Sequence, residues 1–334
     1  MIELTTPRGL PVQVPEHDFE DPSPKFDVAD VKGFRTYYAE NGYVILRNLF
    51  TAQQCDHVRH LWESEVKPYK GFMYRQATAK LERHVKNDRG WIMNPILNLQ
   101  SVDPGRFPRF REFVTQSILA SPNLSSAFTG LLEDTPKIVQ SMYFEGNSAT
   151  WEHQDSYYLD SETVGEMAAA WIAVEDISAR CGRFFVCPGS HKLKLKLKLK
   201  LKLKLKLKLK LDDHSLYNNI AENHDGYINS VVRKIRDDKL TIRAPILHKG
   251  DVLIWNAWTI HGSLDSQDAN QSRSSITCHA IPNRKNSSRC RSARSTCRPS
   301  RSTPRRSTGP RTWRASATAT SSSSNRISRR CSTG

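Results

Sequence analysis

The chain has no CxxC pair, no basic-then-apolar leader and no apolar run long enough to cross a bilayer. Each absence excludes a class. Seven cysteines (Cys55, Cys181, Cys187, Cys278, Cys290, Cys297 and Cys331) without paired spacing do not read as a zinc knuckle or a redox dithiol, and their odd number argues for a reduced chain. The opening "MIELTTPRGLPVQVPEHDFEDPSPKF" lacks the basic-then-apolar pattern expected of a secretory signal. A membrane helix needs about 20 consecutive apolar residues, and none is present. The expectation is a soluble, cytoplasmic protein with no membrane partner.

Acids are missing where the basic charge gathers. Lys192 to Leu211 is an unbroken Lys-Leu alternation with ten lysines, and residues 284–334 hold fourteen Lys and Arg; neither stretch contains an acid. Outside them, 26 basic residues face 34 acidic ones. The net charge of +16 therefore describes appendages, and the acidic body disfavours a nucleic-acid partner.

Large apolar residues are almost absent from residues 284–334, which cannot build a core and read as a disordered Arg/Ser-rich tail. Its abrupt onset after "CHAIP" suggests the product of a shifted reading frame; an RNA-binding tail is the functional rival. The dipeptide repeat resembles a tandem expansion of a six-base DNA unit, with an amphipathic strand as the physical alternative. The expected organisation is an extended arm over 1–29, one domain over 30–283 interrupted by the repeat at 192–211, and the tail.

Within the domain, Val31, Phe34 and Tyr38 keep helical spacing and Asn41-Gly42 supplies a stop. "YVILRNLF" reads as a strand, and Thr51 with Gln54 as a capping box opening a helix that buries Cys55, Val58, Leu61 and Trp62. Residues 70–93 read as a solvated loop or a lid. "FREFVTQSILASPNLSSAFTGLL" is an amphipathic helix broken at Ser121-Pro122. After Pro136 come short β-type runs: "KIVQSMYFE", "MAAAWIAVED", "RFFVC", "LTIRAPIL", "DVLIWNAW" and "SSITCHAI". Helices in front and strands behind make an α+β chain with an all-β catalytic core, a sandwich or barrel.

Inside "WEHQDSYYLD", His153 and Asp155 are two positions apart, so on a strand they share a face and can reach one metal ion. A half-buried polar pair is the plainer alternative, and a third ligand is required. His261, ten residues after Asp251 in "GDVLIWNAWTIHGS", is the candidate. His191 suits a capping role in its Pro-Gly-Ser turn, His214 and His224 lie in polar loop sequence, His248 is a further rival, and His279 suits the surroundings of a metal or the core. Two His and one carboxylate on one face of an octahedron leave three positions open, as non-haem Fe(II) oxygenases require. A zinc hydrolase is also open. Such an oxygenase draws electrons from 2-oxoglutarate, whose distal carboxylate needs a fixed cation, and Arg273 is placed to supply it.

Together, "HQD", "AAAWIAVED", "GRFFVCPGSHK", "GDVLIWNAWTIHGS", "RSSITCHAIP" and the preface "YYAENGYVILRNLFTAQQCDHVR" resemble the phytanoyl-CoA dioxygenase family of Fe(II)/2-oxoglutarate oxygenases over roughly residues 30 to 282. The resemblance implies a double-stranded β-helix core, of jelly-roll or cupin-like type, with N-terminal flanking helices. It implies Fe(II) at His153, Asp155 and His261, with 2-oxoglutarate and O2 as co-substrates. Arg273 would bind the co-substrate carboxylate with Ser263 assisting, Trp171 would border that pocket, and Gln140 and Tyr143 are further pocket candidates. Asp155 favours hydroxylation, because related halogenating enzymes lack a carboxylate there. The implied reaction is hydroxylation of an unactivated C–H in a small molecule, an acyl thioester or a specialised metabolite, with release of succinate and CO2. The alternatives are a cupin-like metal hydrolase and a non-catalytic β-barrel with a nucleic-acid-binding tail.

Overall fold

The β-type runs after Pro136 form the framework of the molecule. A computed structural model describes residues 1–146, 149–193 and 224–289, which fall within one unit, Met1–Ser292. The Lys-Leu repeat after Leu193, His214 and the tail after Arg289 lie outside the described residues.

The strands in chain order are β1 (Ile2–Thr5), β2 (Pro11–Val14), β3 (Lys25–Phe26), β4 (Tyr43–Leu46), β5 (Met73–Tyr74), β6 (Leu81–Glu82), β7 (Ile96–Leu97), β8 (Pro136–Phe144), β9 (Thr150–His153), β10 (Leu159–Ser161), β11 (Ala168–Ala173), β12 (Phe184–Val186), β13 (Val252–Asn256), β14 (His261–Ser263), β15 (Ser275–Pro282) and β16 (Ser287–Arg289). The helices are α1 (Val31–Asn41), α2 (Ala52–Leu61), α3 (Pro108–Phe113), α4 (Pro122–Leu132) and α5 (His224–Asp237). A seven-stranded sheet runs β3-β4-β13-β11-β15-β8-β7, and a three-stranded sheet runs β12-β14-β9. All their pairings are antiparallel except β3 with β4.

Alternation along the large sheet separates two apolar layers. On one face Ala168, Ala170, Ile172, Ile254, Ile276 and Cys278 pack against the helices through Phe34, Val58, Trp62, Phe110 and Phe128. On the other, Ala169, Trp171, Leu253 and Trp255 meet Phe184 and Val186 of the small sheet. The two sheets thus face each other as an open sandwich and do not close into a barrel. Strand β11 is apolar throughout because both its faces are covered.

Local signals in the preface are seen in atomic detail. Gly42 ends α1 at φ +77° with its N–H on Tyr38 O, and Thr51 and Gln54 exchange capping bonds at 3.2 and 3.0 Å. The helix expected around residues 110–132 does break at Ser121, whose Oγ accepts from Leu124 N–H. At the "HKGD" turn Gly250 has φ +92°, and a Cβ there would collide with the carbonyl oxygen of Phe50. Gly250→Ala is therefore expected to destabilise the chain by about 2–4 kcal/mol, read as a fall in thermal midpoint.

Some expectations need correction. "LTIRAPIL" is not a strand, since only Arg243 bridges to Val186. The arm over 1–29 contains the hairpin β1–β2, which buries Val12 and Val14 against Phe185. Residues 70–93 are more than a solvated loop: they carry the β5–β6 hairpin and a fully buried Arg75 that donates to the carbonyls of Glu82 and Asn94. Residues 284–289, expected to open the tail, pair with the domain. Arg284 pairs with Asp134 at 3.0 Å, Lys285 donates to Thr163, and β16 pairs with β10. No helix among the described residues is long and apolar enough to cross a membrane.

Candidate metal centre

His153 ends β9 and His261 opens β14, and the register of these neighbouring strands sets the two residues directly opposite each other, with ring centroids 4.2 Å apart. Asp155 arrives differently from the sequence expectation. The strand stops at His153, Gln154 is extended, and Asp155 begins a 3-10 turn over Asp155–Tyr157. The turn is tied down by Ser156 N–H on Ala257 O at 3.1 Å and by the Gln154 amide on Trp258 O at 2.5 Å. A bend, rather than simple alternation, therefore brings the carboxylate back toward the two imidazoles.

His153 Nδ1 lies 2.7 Å from the carbonyl of Trp151, and His261 Nδ1 lies 2.9 Å from the carbonyl of Thr259. A carbonyl only accepts, so both Nδ1 atoms must donate, and both Nε2 atoms carry lone pairs in the neutral rings. Those lone pairs approach Asp155 Oδ1 at 3.6 and 3.5 Å, and the three donor atoms lie within 4.8 Å of one another. Three acceptors converge with no proton between them. A divalent cation fits that set: ligand bonds of about 2.1 Å put adjacent octahedral donors roughly 3 Å apart, so a small inward movement completes the site.

The protonation states agree with this fit. Burial pushes His261 down, outweighing the pull of Asp155 toward the charged form, so the ring is neutral at physiological pH. Burial works against the Asp155 carboxylate too, yet its neighbours, His261 foremost and then His279, hold its pKa well below the usual carboxylate range. A charged carboxylate beside the neutral His261 ring results.

Arg273 precedes β15 and is 3% exposed. Its Nη1 donates to Gly182 O at 2.8 Å, its Nε has no partner, and among the described residues no carboxylate pairs with it. Burial pushes its pKa down to about 9, which still leaves it charged at neutral pH. The guanidinium lies 5.9 Å from the Trp171 ring, and Trp171 leads through Phe184 to His261. A buried cation without an anion is costly, and a carboxylate-bearing ligand would relieve it.

Of the other expected pocket residues, Trp171 and Ser263 stand on the inner faces, and Ser263 Oγ accepts from Thr150 N–H at 3.0 Å. Gln140 sits opposite His279 and shares its face. Tyr143 does not reach the site. One residue out of step with Met142, it points to the helices and stacks on Trp62 at 3.9 Å. Tyr157 packs on Tyr227 of α5 at 3.7 Å, and Tyr158 OH meets His224 at 2.7 Å. His224 thus begins a helix instead of lying in a loop, while His191 bonds Ala39 O and His248 pairs with Asp18.

Two residues approach Asp155 from the large sheet. Trp255 Nε1 donates to Oδ2 at 2.8 Å, and His279 Nε2 lies 3.4 Å from the same oxygen. His279 was among the rival histidines, whereas Trp255 had not been singled out. The signal was present in "DVLIWNAW", whose alternation puts Leu253 and Trp255 inward, since a buried indole N–H needs an acceptor.

Comparison with known proteins agrees with this architecture. A family model described as "Phytanoyl-CoA dioxygenase (PhyH)" matches residues 38–274. The peroxisomal phytanoyl-CoA dioxygenase of Bos taurus is 24% identical over 257 residues, covering 73% of this chain and 66% of the relative. The chain thus spans just under two thirds of the curated relatives it matches along most of its length. Among solved structures, the epimerase SnoN in complex with Fe3+, alpha ketoglutarate and nogalamycin RO superposes with a TM-score of 0.52 at 15% identity, over 80% of this chain and 88% of that one. EctD from S. alaskensis with bound Fe gives 0.50 at 15% identity, over 80% and 83%. These likenesses establish the double-stranded β-helix type of fold. With a family model that spans most of the domain, the chain belongs to the phytanoyl-CoA dioxygenase family.

Proposed function

We propose that the protein is an Fe(II)- and 2-oxoglutarate-dependent dioxygenase that hydroxylates an unactivated C–H of a small molecule. The overall change is substrate, O2 and 2-oxoglutarate giving hydroxylated product, succinate and CO2. One observation carries this reading: three proton-free donor atoms and one uncompensated buried guanidinium stand on the facing walls of the same sandwich. A zinc hydrolase has no use for the second feature.

His153, Asp155 and His261 would hold the metal. Iron bound there supplies the redox chemistry that couples loss of CO2 from the keto acid to oxidation of the substrate. Arg273 would grip the far carboxylate of 2-oxoglutarate, its fork already oriented by the Gly182 carbonyl. Trp171 and Phe184 would border that carboxylate and keep water away, raising the strength of the ion pair. Ser263 and Gln140 offer further polar contacts on the same walls. Asp155 favours hydroxylation, because a carboxylate fills the place a halide would need. The relatives' names point toward an acyl thioester, while SnoN is called an epimerase acting in nogalamycin biosynthesis; we place this chain with the hydroxylases.

The test uses the full chain stripped with a chelator. Succinate is expected only when Fe(II), 2-oxoglutarate and oxygen are all supplied, and Zn(II) is expected not to substitute. A metabolite screen should then yield a product heavier by one oxygen atom. Turnover with Zn(II), or absence of succinate at any iron and 2-oxoglutarate concentration, would overturn the proposal.

A further inference from the structure

The two oxygens of Asp155 keep different company. Oδ1 faces His153 Nε2 and His261 Nε2, neither of which has a proton to give. Oδ2 faces the large sheet, where Trp255 Nε1 donates to it at 2.8 Å and His279 Nε2 stands at 3.4 Å. An indole nitrogen is a donor only, so Oδ2 is committed as an acceptor. The imidazole of His279 is 4% exposed, and its Nδ1 has no partner, leaving Nε2 as the nitrogen that engages the protein. Trp255 and His279 sit on β13 and β15, on either side of β11, and their rings lie 6.3 Å apart near edge-to-face.

We infer that Trp255 and His279 are positioning residues that reserve Oδ2 and present Asp155 to the metal through Oδ1 alone. The inference rests on the proposed metal site and deepens it. A free carboxylate rotates about its last bond and can take two positions on a hard cation, as bidentate carboxylates do. At a facial triad that second position is one the keto acid or oxygen must use. The indole N–H and the His279 nitrogen 3.4 Å from the same oxygen, both arriving from the sheet, oppose that rotation. Such outer partners typically change metal affinity by about 10–100-fold when removed.

Co(II) binding to the chelator-stripped full chain tests this, because its visible d–d spectrum reports coordination number without turnover. The parent is expected to bind one Co(II) with a six-coordinate spectrum. Trp255→Phe keeps an aromatic ring and removes the donor; it is expected to weaken Co(II) by about tenfold or more and to alter the spectrum. Because Trp255 is buried, a second pair guards against a folding failure. His279→Leu should weaken binding, while His279→Gln, which restores an N–H donor, should recover most of it. Failure of the parent to bind Co(II) would remove the metal site itself, and the inference with it. Parent-like affinity and spectrum in Trp255→Phe, or equal behaviour of His279→Leu and His279→Gln, would overturn the inference while leaving the metal site standing.

Discussion

His261→Ala is expected to abolish iron-dependent succinate formation and to weaken Co(II) binding by at least about a hundredfold. The magnitude follows from metal sites in which four ligands together supply about 10–16 kcal/mol, roughly 3 kcal/mol for each, which is a factor of about 10². His261 is the most consequential of the three proposed ligands because it is 3% exposed and sits between Trp255 and Phe184, at 4.9 and 5.4 Å. Among the described residues, His153, Asp155 and His261 form the one group able to hold a metal ion. The change also removes one bond to the Thr259 carbonyl and the ring packing against Trp255 and Phe184, so a folding cost is expected beside the loss of metal. Isothermal titration with Co(II), run beside a thermal melt, separates the two effects. Co(II) affinity unchanged from the parent would remove His261 from the site.

Arg273→Met is expected to raise the KM for 2-oxoglutarate by about a hundredfold or more while leaving the ligand-free protein as stable as the parent, or more stable. The two halves have one cause. A buried guanidinium with no anion is a liability in the ligand-free protein, so an apolar side chain of similar length relieves it. Removing one member of a buried ion pair from a complex costs about 2–5 kcal/mol, equivalent to a factor of roughly 30 to several thousand. A residue that merely braced the sheet through the Gly182 carbonyl would give the opposite pattern, with lower stability and an unchanged KM. Steady-state succinate formation against 2-oxoglutarate concentration, together with a melt of the apo protein, decides between them.

Much of the preface was legible because its signals are local. The Gly42 stop, the Thr51–Gln54 capping box and the Ser121-Pro122 break each depend on residues within a few positions of one another. Failures occurred where a partner from far along the chain intervened. "LTIRAPIL" has β-type composition, yet only Arg243 finds a strand to pair with. Residues 70–93 lack hydrophobic periodicity, and their buried Arg75 is satisfied by carbonyls seven and nineteen residues away, which no periodic pattern announces. Tyr143 lies three residues from Gln140, so alternation along β8 sends it to the opposite face, where it pairs with Ile276 in the layer against the helices.

By itself the sequence determined the chemistry of the proposed ligands: an imidazole and a carboxylate two residues apart, a second imidazole after an apolar strand, and an arginine twelve residues beyond. Tertiary structure decided their orientation. Asp155 reaches the imidazoles through a 3-10 turn rather than along a strand, and the indole that holds its second oxygen comes from 100 residues away. Local composition selects which side chains have lone pairs or protons to offer. Which of them meet is set by sheet register and sandwich closure, and those arise only when separate strands pair.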